Sequence, residues 1–332
     1  MATIYDVARL AKVSPATVSR VFNGIGASKE KTDAVRKAAK ELRFTPNRSA
    51  RSLRRQKSEI LTLVIPDIEN PYFTEVARGV EDVAQEAGYS LMLCNTDGDP
   101  EKEERYLQVA ISEHIAGVII ACAGPMTNLD DALAAGRQIV AVDRGSSYDI
   151  DEVIMANTKA GRVATEDLVR KGCKRIACIT GPRELDTAYE RAEGWKAVMG
   201  QHFPDLDLDP LLHYSTFRVA DGRRCAELLM AMPEPPDAIV AANNLLGVGA
   251  IQVLSEMGMA PPKIGVSVIG TLPFTTLSPS AVTVVRLPGR QMGETAAKML
   301  LERISGDRQP ARTVVLRNEV KSAGRPINGT SG

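Results

Sequence analysis

The sequence predicts an N-terminal all-α module with a helix-turn-helix, followed by a larger α/β body built as two parallel-sheet lobes. Three observations carry this reading. Apolar residues recur at helical spacing through the first 45 or so positions, broken by capping residues. From position 58 onward, short apolar runs alternate with helical stretches. Charge is also segregated: residues 1–57 hold 14 Lys+Arg against 4 Asp+Glu, a net of +10, so the rest carries −10 in a chain that sums to zero.

In the first helix Thr3 precedes Ile4, Val7, Ala8 and Ala11, apolar at i, i+3, i+4 and i+7 behind a Thr cap. Ser14-Pro15 opens the second, because Ser caps well and Pro suits the first helical position. Its inward stripe is Val18, Val21 and Phe22, and Asn23-Gly24 stops it. Ser28 caps a third helix whose stripe is Val35, Ala38, Ala39 and Leu42, ended by Thr45-Pro46. Two short helices with a packing helix make a helix-turn-helix. The second helix turns Pro15, Ala16, Ser19, Arg20 and Asn23 outward. Small residues let such a helix sit deep in a major groove, and Arg20 suits a guanine. Ser19, Asn23 and the helix starts at Thr3 and Ser14, with Tyr5 and Thr17 nearby, suit phosphates. A plain three-helix core with a solvated basic face fits the same pattern.

Buried-strand runs follow at 60–65, 89–94, 117–121, 139–142, 176–180, 238–241, 266–269 and 282–285, with helices at 73–87 and 102–113 among those between. That alternation means parallel sheets. About 270 residues exceed one small α/β layer, so two lobes are expected. Ligands in open α/β sheets lie outside the carboxyl ends of strands. The polar and aromatic residues just past strands are Asp67, Asn70, Tyr72, Phe73, Asn95, Thr96, Asp97, Asp143, Arg144, Phe217, Asn243 and Asn244, with Arg191 and Trp195 a helix start later. An Arg in a cleft binds carboxylates, phosphates or hydroxyls, and aromatic rings stack on sugars or purines. Equally, Tyr72 and Phe73 suit a cap and core, and Arg191 suits an ion pair with Asp143 or Glu190.

Composition excludes other classes. An apolar share of 44% with 25% charged residues is globular rather than disordered. No apolar run nears the roughly 18 residues of a membrane span. The first residues carry no secretory signal pattern, so a cytoplasmic, nucleoid-associated location is expected. Cys94, Cys122, Cys173, Cys178 and Cys225 are odd in number and widely spaced, which argues for a reduced compartment without disulfides or zinc. Only His114, His202 and His213 occur, with no nucleophile motif, P-loop or GxGxxG, so neither an enzyme nor a bound cofactor is expected.

The string Thr3-Ile4-Tyr5-Asp6-Val7-Ala8, then Val13-Ser14-Pro15-Ala16-Thr17-Val18-Ser19-Arg20-Val21-Phe22-Asn23-Gly24, then Pro46-Asn47-Arg48-Ser49-Ala50-Arg51-Ser52-Leu53, closely resembles the lactose-repressor/galactose-repressor (LacI/GalR) family of bacterial transcription regulators. Lys31-Thr32 departs from the family's usual Thr-Arg and puts one phosphate contact in doubt. The resemblance implies that Pro15, Ala16 and Arg20 read bases. It implies a hinge helix from Asn47 to Arg55 that forms on operator DNA, where Ala50 and Leu53 share a face and Leu53 wedges into a minor-groove step. Arg51, Arg54, Arg55 and Lys57 would neutralise phosphates.

The resemblance extends over nearly the whole chain and implies a periplasmic-binding-protein-like body with three crossovers. The expected division is 1–46 for the helix-turn-helix and 47–57 for the hinge. The effector and dimerisation body is 58–328, with lobes of 58–158 plus 286–314 and 159–285 plus 315–328. Tyr72, Phe73, Asp143, Arg191, Phe217 and Asn244 match family effector positions. In Val268-Ile269-Gly270-Thr271-Leu272-Pro273, Leu272 stands where the family usually has an acid, and Asn243-Asn244 replaces Asn-Asp. A pocket that loses an acid and keeps Arg144 and Arg191 points to an anionic effector such as gluconate, 2-ketogluconate or a sugar phosphate. The expected protein is a homodimeric repressor of a sugar or sugar-acid operon, released from a pseudo-palindromic operator by that effector. A corepressor-dependent repressor resembling the purine repressor, or a sugar-binding protein without a regulatory role, stands as the alternative.

Overall fold

A computed structural model describes residues 2–22, 26–44, 58–124, 127–272 and 281–322. It divides into two compact units, 1–58 and 59–332.

The first unit holds α1 (Ile4–Leu10), α2 (Pro15–Phe22) and α3 (Lys29–Glu41). Thr3 caps α1 as expected, and Asp6 completes the box: Asp6 N–H donates to Thr3 Oγ1 at 3.3 Å and Thr3 N–H to Asp6 Oδ2 at 2.9 Å. The Thr17 N–H reaches Ser14 Oγ at 3.2 Å, so Ser14 caps α2. Ser28 caps α3 through the Lys31 N–H at 3.4 Å. The core is small: Val7, Ala8, Val18, Val35, Ala38 and Ala39, with the Phe22 and Phe44 rings 5.8 Å apart at its edge. The expected stop at Thr45-Pro46 and the hinge at 47–57 lie outside the described residues.

The second unit has two six-stranded sheets. Its strands are β1 (Ile60–Ile65), β2 (Ser90–Asn95), β3 (Gly117–Ile120), β4 (Gln138–Asp143), β5 (Asp151–Met155), β6 (Ile176–Thr180), β7 (Leu212–Tyr214), β8 (Ala238–Ala241), β9 (Gly265–Ile269), β10 (Thr283–Arg286), β11 (Thr313–Leu316) and β12 (Glu319–Lys321). The helices are α4 (Pro71–Glu86), α5 (Pro100–Ser112), α6 (Asp130–Ala134), α7 (Asn157–Arg170), α8 (Asp186–His202), α9 (Val219–Met230), α10 (Asn244–Glu256) and α11 (Gly289–Ile304). The first sheet runs β11-β5-β4-β3-β1-β2 and is parallel throughout; the second runs β12-β10-β9-β8-β6-β7 with β12 antiparallel. The chain changes lobe between β5 and α7, between β10 and α11, and between β11 and β12. The last change falls after Leu316, two residues beyond the expected 314, because Val315 and Leu316 still pair with Ile154 and Met155.

Strands β5, β11 and β12 escaped the sequence reading. They are short or carry charges, so they give no apolar run. β5 opens on Asp151-Glu152, yet Asp151 is buried, held by Arg303 and Arg312 at 2.6 and 3.1 Å. Helix pairs within each lobe approach through glycine. A Cβ on Gly293 of α11 would meet Val76 O of α4 at 2.1 Å, and one on Gly79 would meet Arg290 O at 2.1 Å. These contacts leave no room for a side chain.

Candidate functional site

The DNA-facing candidates fall on the first two helices. Thr3, Tyr5, Ser14, Ala16 and Arg20 are exposed, and Tyr5 is 67% exposed although aromatic. Pro15, Thr17 and Ser19 are half-buried; the Thr17 hydroxyl lies 3.0 Å from that of Ser14, which ties it to the cap. Only Val18 of α2 is buried, so the helix keeps its small residues and Arg20 on the outer face. Asn23, Asn47, Ala50, Leu53 and Arg54 lie outside the described residues.

In the second unit the carboxyl ends of both sheets meet at a cleft. Asn70, Tyr72, Phe73, Asp143, Arg144, Thr187, Arg191, Phe217, Asn243, Asn244, Ile269, Gly270 and Leu287 line it. The strand-end rule therefore gathers nine of the fourteen residues it named. Asn70 caps α4 by accepting the Tyr72 N–H at 3.0 Å, and the same oxygen accepts Asn244 Nδ2 at 3.0 Å across the lobes. Tyr72 and Phe73 pack edge-to-face at 5.1 Å, and the Tyr72 hydroxyl reaches Met292 Sδ at 2.9 Å. Burial, and then the Asp143 carboxylate, hold that phenol well above its ordinary value.

Arg191 is 4% exposed. Its Nε donates to Asn157 Oδ1 at 2.9 Å and its Nη1 to Ala242 O at 2.8 Å, so its hydrogen bonds go to neutral oxygens rather than to Asp143 or Glu190. Burial pushes its guanidinium below the ordinary value and Asp143 opposes that push. Arg144 is 9% exposed and donates through Nη1 to Cys122 O and, at 3.0 Å, to Ala123 O. Asp143 adopts a left-handed φ of 66°, a strained setting for a residue with a Cβ, at the point where β4 turns into the cleft. The lining thus holds two guanidinium groups and one carboxylate.

Of the strand-end residues, Asp67, Asn95, Thr96 and Asp97 do not line the cleft. Trp195 and Leu272 are not brought to it either. Trp195 is fully buried in the second lobe and its indole donates to Ile176 O at 3.1 Å. It shares the α8 face of Arg191, but four residues on it sits about 6 Å deeper along the helix. Leu272 packs, half-buried, against the core and does not line the cleft, whose edge there is Ile269 and Gly270. Thr187 and Leu287 were missed. Leu287 directly follows β10, but the strand-end rule collects polar and aromatic residues and so passes over a leucine.

Among the described residues no group of His, Cys, Asp and Glu could hold a metal, and no helix is long and apolar enough to cross a membrane. All five cysteines are buried and free.

The family model for the periplasmic binding proteins and sugar-binding domain of the LacI family matches residues 58–322, and that for bacterial regulatory proteins of the lacI family matches residues 3–47. A ribose operon repressor of Halalkalibacterium halodurans is 35% identical over 92% of this chain and 91% of its own. The transcriptional repressor PurR of Haemophilus influenzae is 31% identical over 97% of this chain and 99% of its own. Among solved structures, a complex of the transcriptional regulator CelR with cellobiose superposes with a TM-score of 0.73 at 27% identity, covering 98% of this chain and all of that one. The lac repressor dimer bound to operator and an anti-inducer shares the fold, at a TM-score of 0.83 and 21% identity over 98% of each chain. The chain therefore belongs to the LacI family and is a DNA-binding transcriptional repressor rather than an enzyme.

Proposed function

We propose that this repressor controls a sugar or sugar-acid operon and is released from a pseudo-palindromic operator when a small hydroxylated anion enters the cleft. Gluconate, 2-ketogluconate or a sugar phosphate has the required chemistry. The observation that carries this reading is the charge of the lining: Arg144 and Arg191 against Asp143 alone, with Asn243, Asn244, Ile269 and Gly270 uncharged. A carboxylate or phosphate balances the surplus cation. Asn70, Asn244 and Thr187 suit hydroxyls, and Phe217 with the Tyr72–Phe73 pair offers faces for a carbon skeleton. The effector acts as an inducer, lowering operator affinity.

The operator end follows from symmetry. Two copies place two α2 helices in successive major-groove half-sites, so the working species is a homodimer. Pro15, Ala16 and Arg20 read bases, while Thr3, Tyr5, Ser14, Thr17 and Ser19 bind backbone phosphates. The test is calorimetry against sugar acids, sugar phosphates and neutral pentoses and hexoses. Micromolar binding of an acid with weak binding of its neutral counterpart supports the reading. Tight binding of an uncharged pentose alone overturns it.

A further inference from the structure

Glu103 does not line the cleft. It lies in the first turn of α5, and it is a carboxylate only 2% exposed. Its Oε2 accepts the Ala123 N–H at 2.6 Å and its Oε1 the Thr127 hydroxyl at 2.6 Å, so it grips the stretch after β3 at two points. The other side of the same peptide faces Arg144, which lines the cleft. The Cys122 carbonyl, joined to that Ala123 N–H, accepts Arg144 Nη1. One peptide group is thus held between a buried carboxylate and a buried guanidinium. Each charge polarises it in the same sense, which strengthens both hydrogen bonds.

Arg144 depends on this support. Its closest approach to a carboxylate is Nε to Asp143 Oδ2 at 4.0 Å, and that Nε is buried without a hydrogen-bond partner. The carbonyls of Cys122 and Ala123 therefore fix where the guanidinium sits. Glu103 also acts on it through space, as one of the negative charges that oppose the effect of burial.

We propose that Glu103 is a positioning residue for the effector cleft: through the Cys122–Ala123 peptide it sets the place of the Arg144 guanidinium, and its charge tempers the cleft's preference for an anion. The effect on ligands rests on the reading that this cleft binds the effector; the effect on Arg144 does not.

Two arms test it on the full-length chain. Crystal structures of wild type, Glu103→Gln and Glu103→Ala need no ligand. Glu103→Ala moves the Arg144 guanidinium by about 1 Å or more, enough to matter in a preorganised site. A guanidinium that stays in place overturns the positioning role. The second arm measures calorimetric affinities for D-gluconate and D-ribose. Glu103→Gln keeps the side chain's shape and removes its charge, so the gluconate-to-ribose ratio rises roughly threefold or more. A merely structural role lowers both affinities together, and an unchanged ratio overturns the tuning. Arg191→Ala is the control. If it leaves probe binding intact, or if wild type binds neither probe, the tuning half fails with the reading of the cleft, and the structures alone decide the positioning half.

Discussion

Arg191 shows what a single side chain contributes at each level. Its stem is packed inside the second lobe and two of its nitrogens are committed to Asn157 and Ala242. That arrangement presents the remaining guanidinium edge to the cleft in one orientation. Arg191→Ala is expected to weaken effector binding by about 30-fold or more, since removing one partner of a buried, hydrogen-bonded charge costs roughly 2–5 kcal/mol. Operator affinity without effector should change little, and calorimetry beside a gel shift separates the two. Asp151 is the structural counterpart. Burial raises its pKa, but hydrogen bonds from Arg303 and Arg312 outweigh that and bring it from 3.8 to about 2. A carboxylate depressed in the folded state adds stability that is full above its unfolded value and is lost as pH falls through the folded one. Its contribution therefore declines between about pH 4 and pH 2. Asp151→Asn should cost about 1.5–3 kcal/mol near neutrality and flatten that acid limb in thermal melts. The two residues differ in how legible they were. Arg191 stood one helix start beyond an apolar strand run and could be read as a site residue. Nothing near Asp151 in sequence marks it, because its partners lie about 150 positions away.

At the scale of elements, caps and stripes were readable because they are local. Thr3, Ser14 and Ser28 sit where their hydroxyls meet free helix N–H groups, and Val18, Val35, Ala38 and Ala39 are buried. Packing between elements was not readable. Nothing near Gly79 or Gly293 in sequence says that α4 and α11 touch there, since the two lie over 200 positions apart. Gly293→Ala should cost about 1–3 kcal/mol by overpacking against the α4 backbone, measured by denaturant unfolding. Trp195 was assigned to the cleft for a related reason: a shared helix face does not give depth along the helix. The hinge segment, 47–57, remains a proposal from sequence. If Leu53 is a minor-groove wedge, Leu53→Ala weakens operator binding far more than nonspecific binding in parallel anisotropy titrations. Equal losses on both DNAs would remove the wedge.

For the whole molecule, the +10 of residues 1–57 and the −10 of the rest divide the work. The basic part meets phosphates, so operator affinity falls steeply with salt, by a log–log slope of about −0.9 per phosphate neutralised. The acidic part encloses a cleft whose own charge runs the other way, two guanidinium groups to one carboxylate. Effector and operator are linked reciprocally: whatever factor the ligand takes from DNA affinity, DNA takes from ligand affinity. The central claim is that an anion in this cleft releases the operator. Fluorescence anisotropy of DNA from upstream of the chain's own gene tests it directly, titrated with the protein alone, with D-gluconate, 2-ketogluconate or sugar phosphates, and with D-glucose. The account predicts that at least one of the anions weakens binding by about 5-fold or more, the range of ordinary allosteric coupling, while glucose does not. Release by the neutral sugar alone, or tighter DNA binding in the presence of the anion, would contradict it.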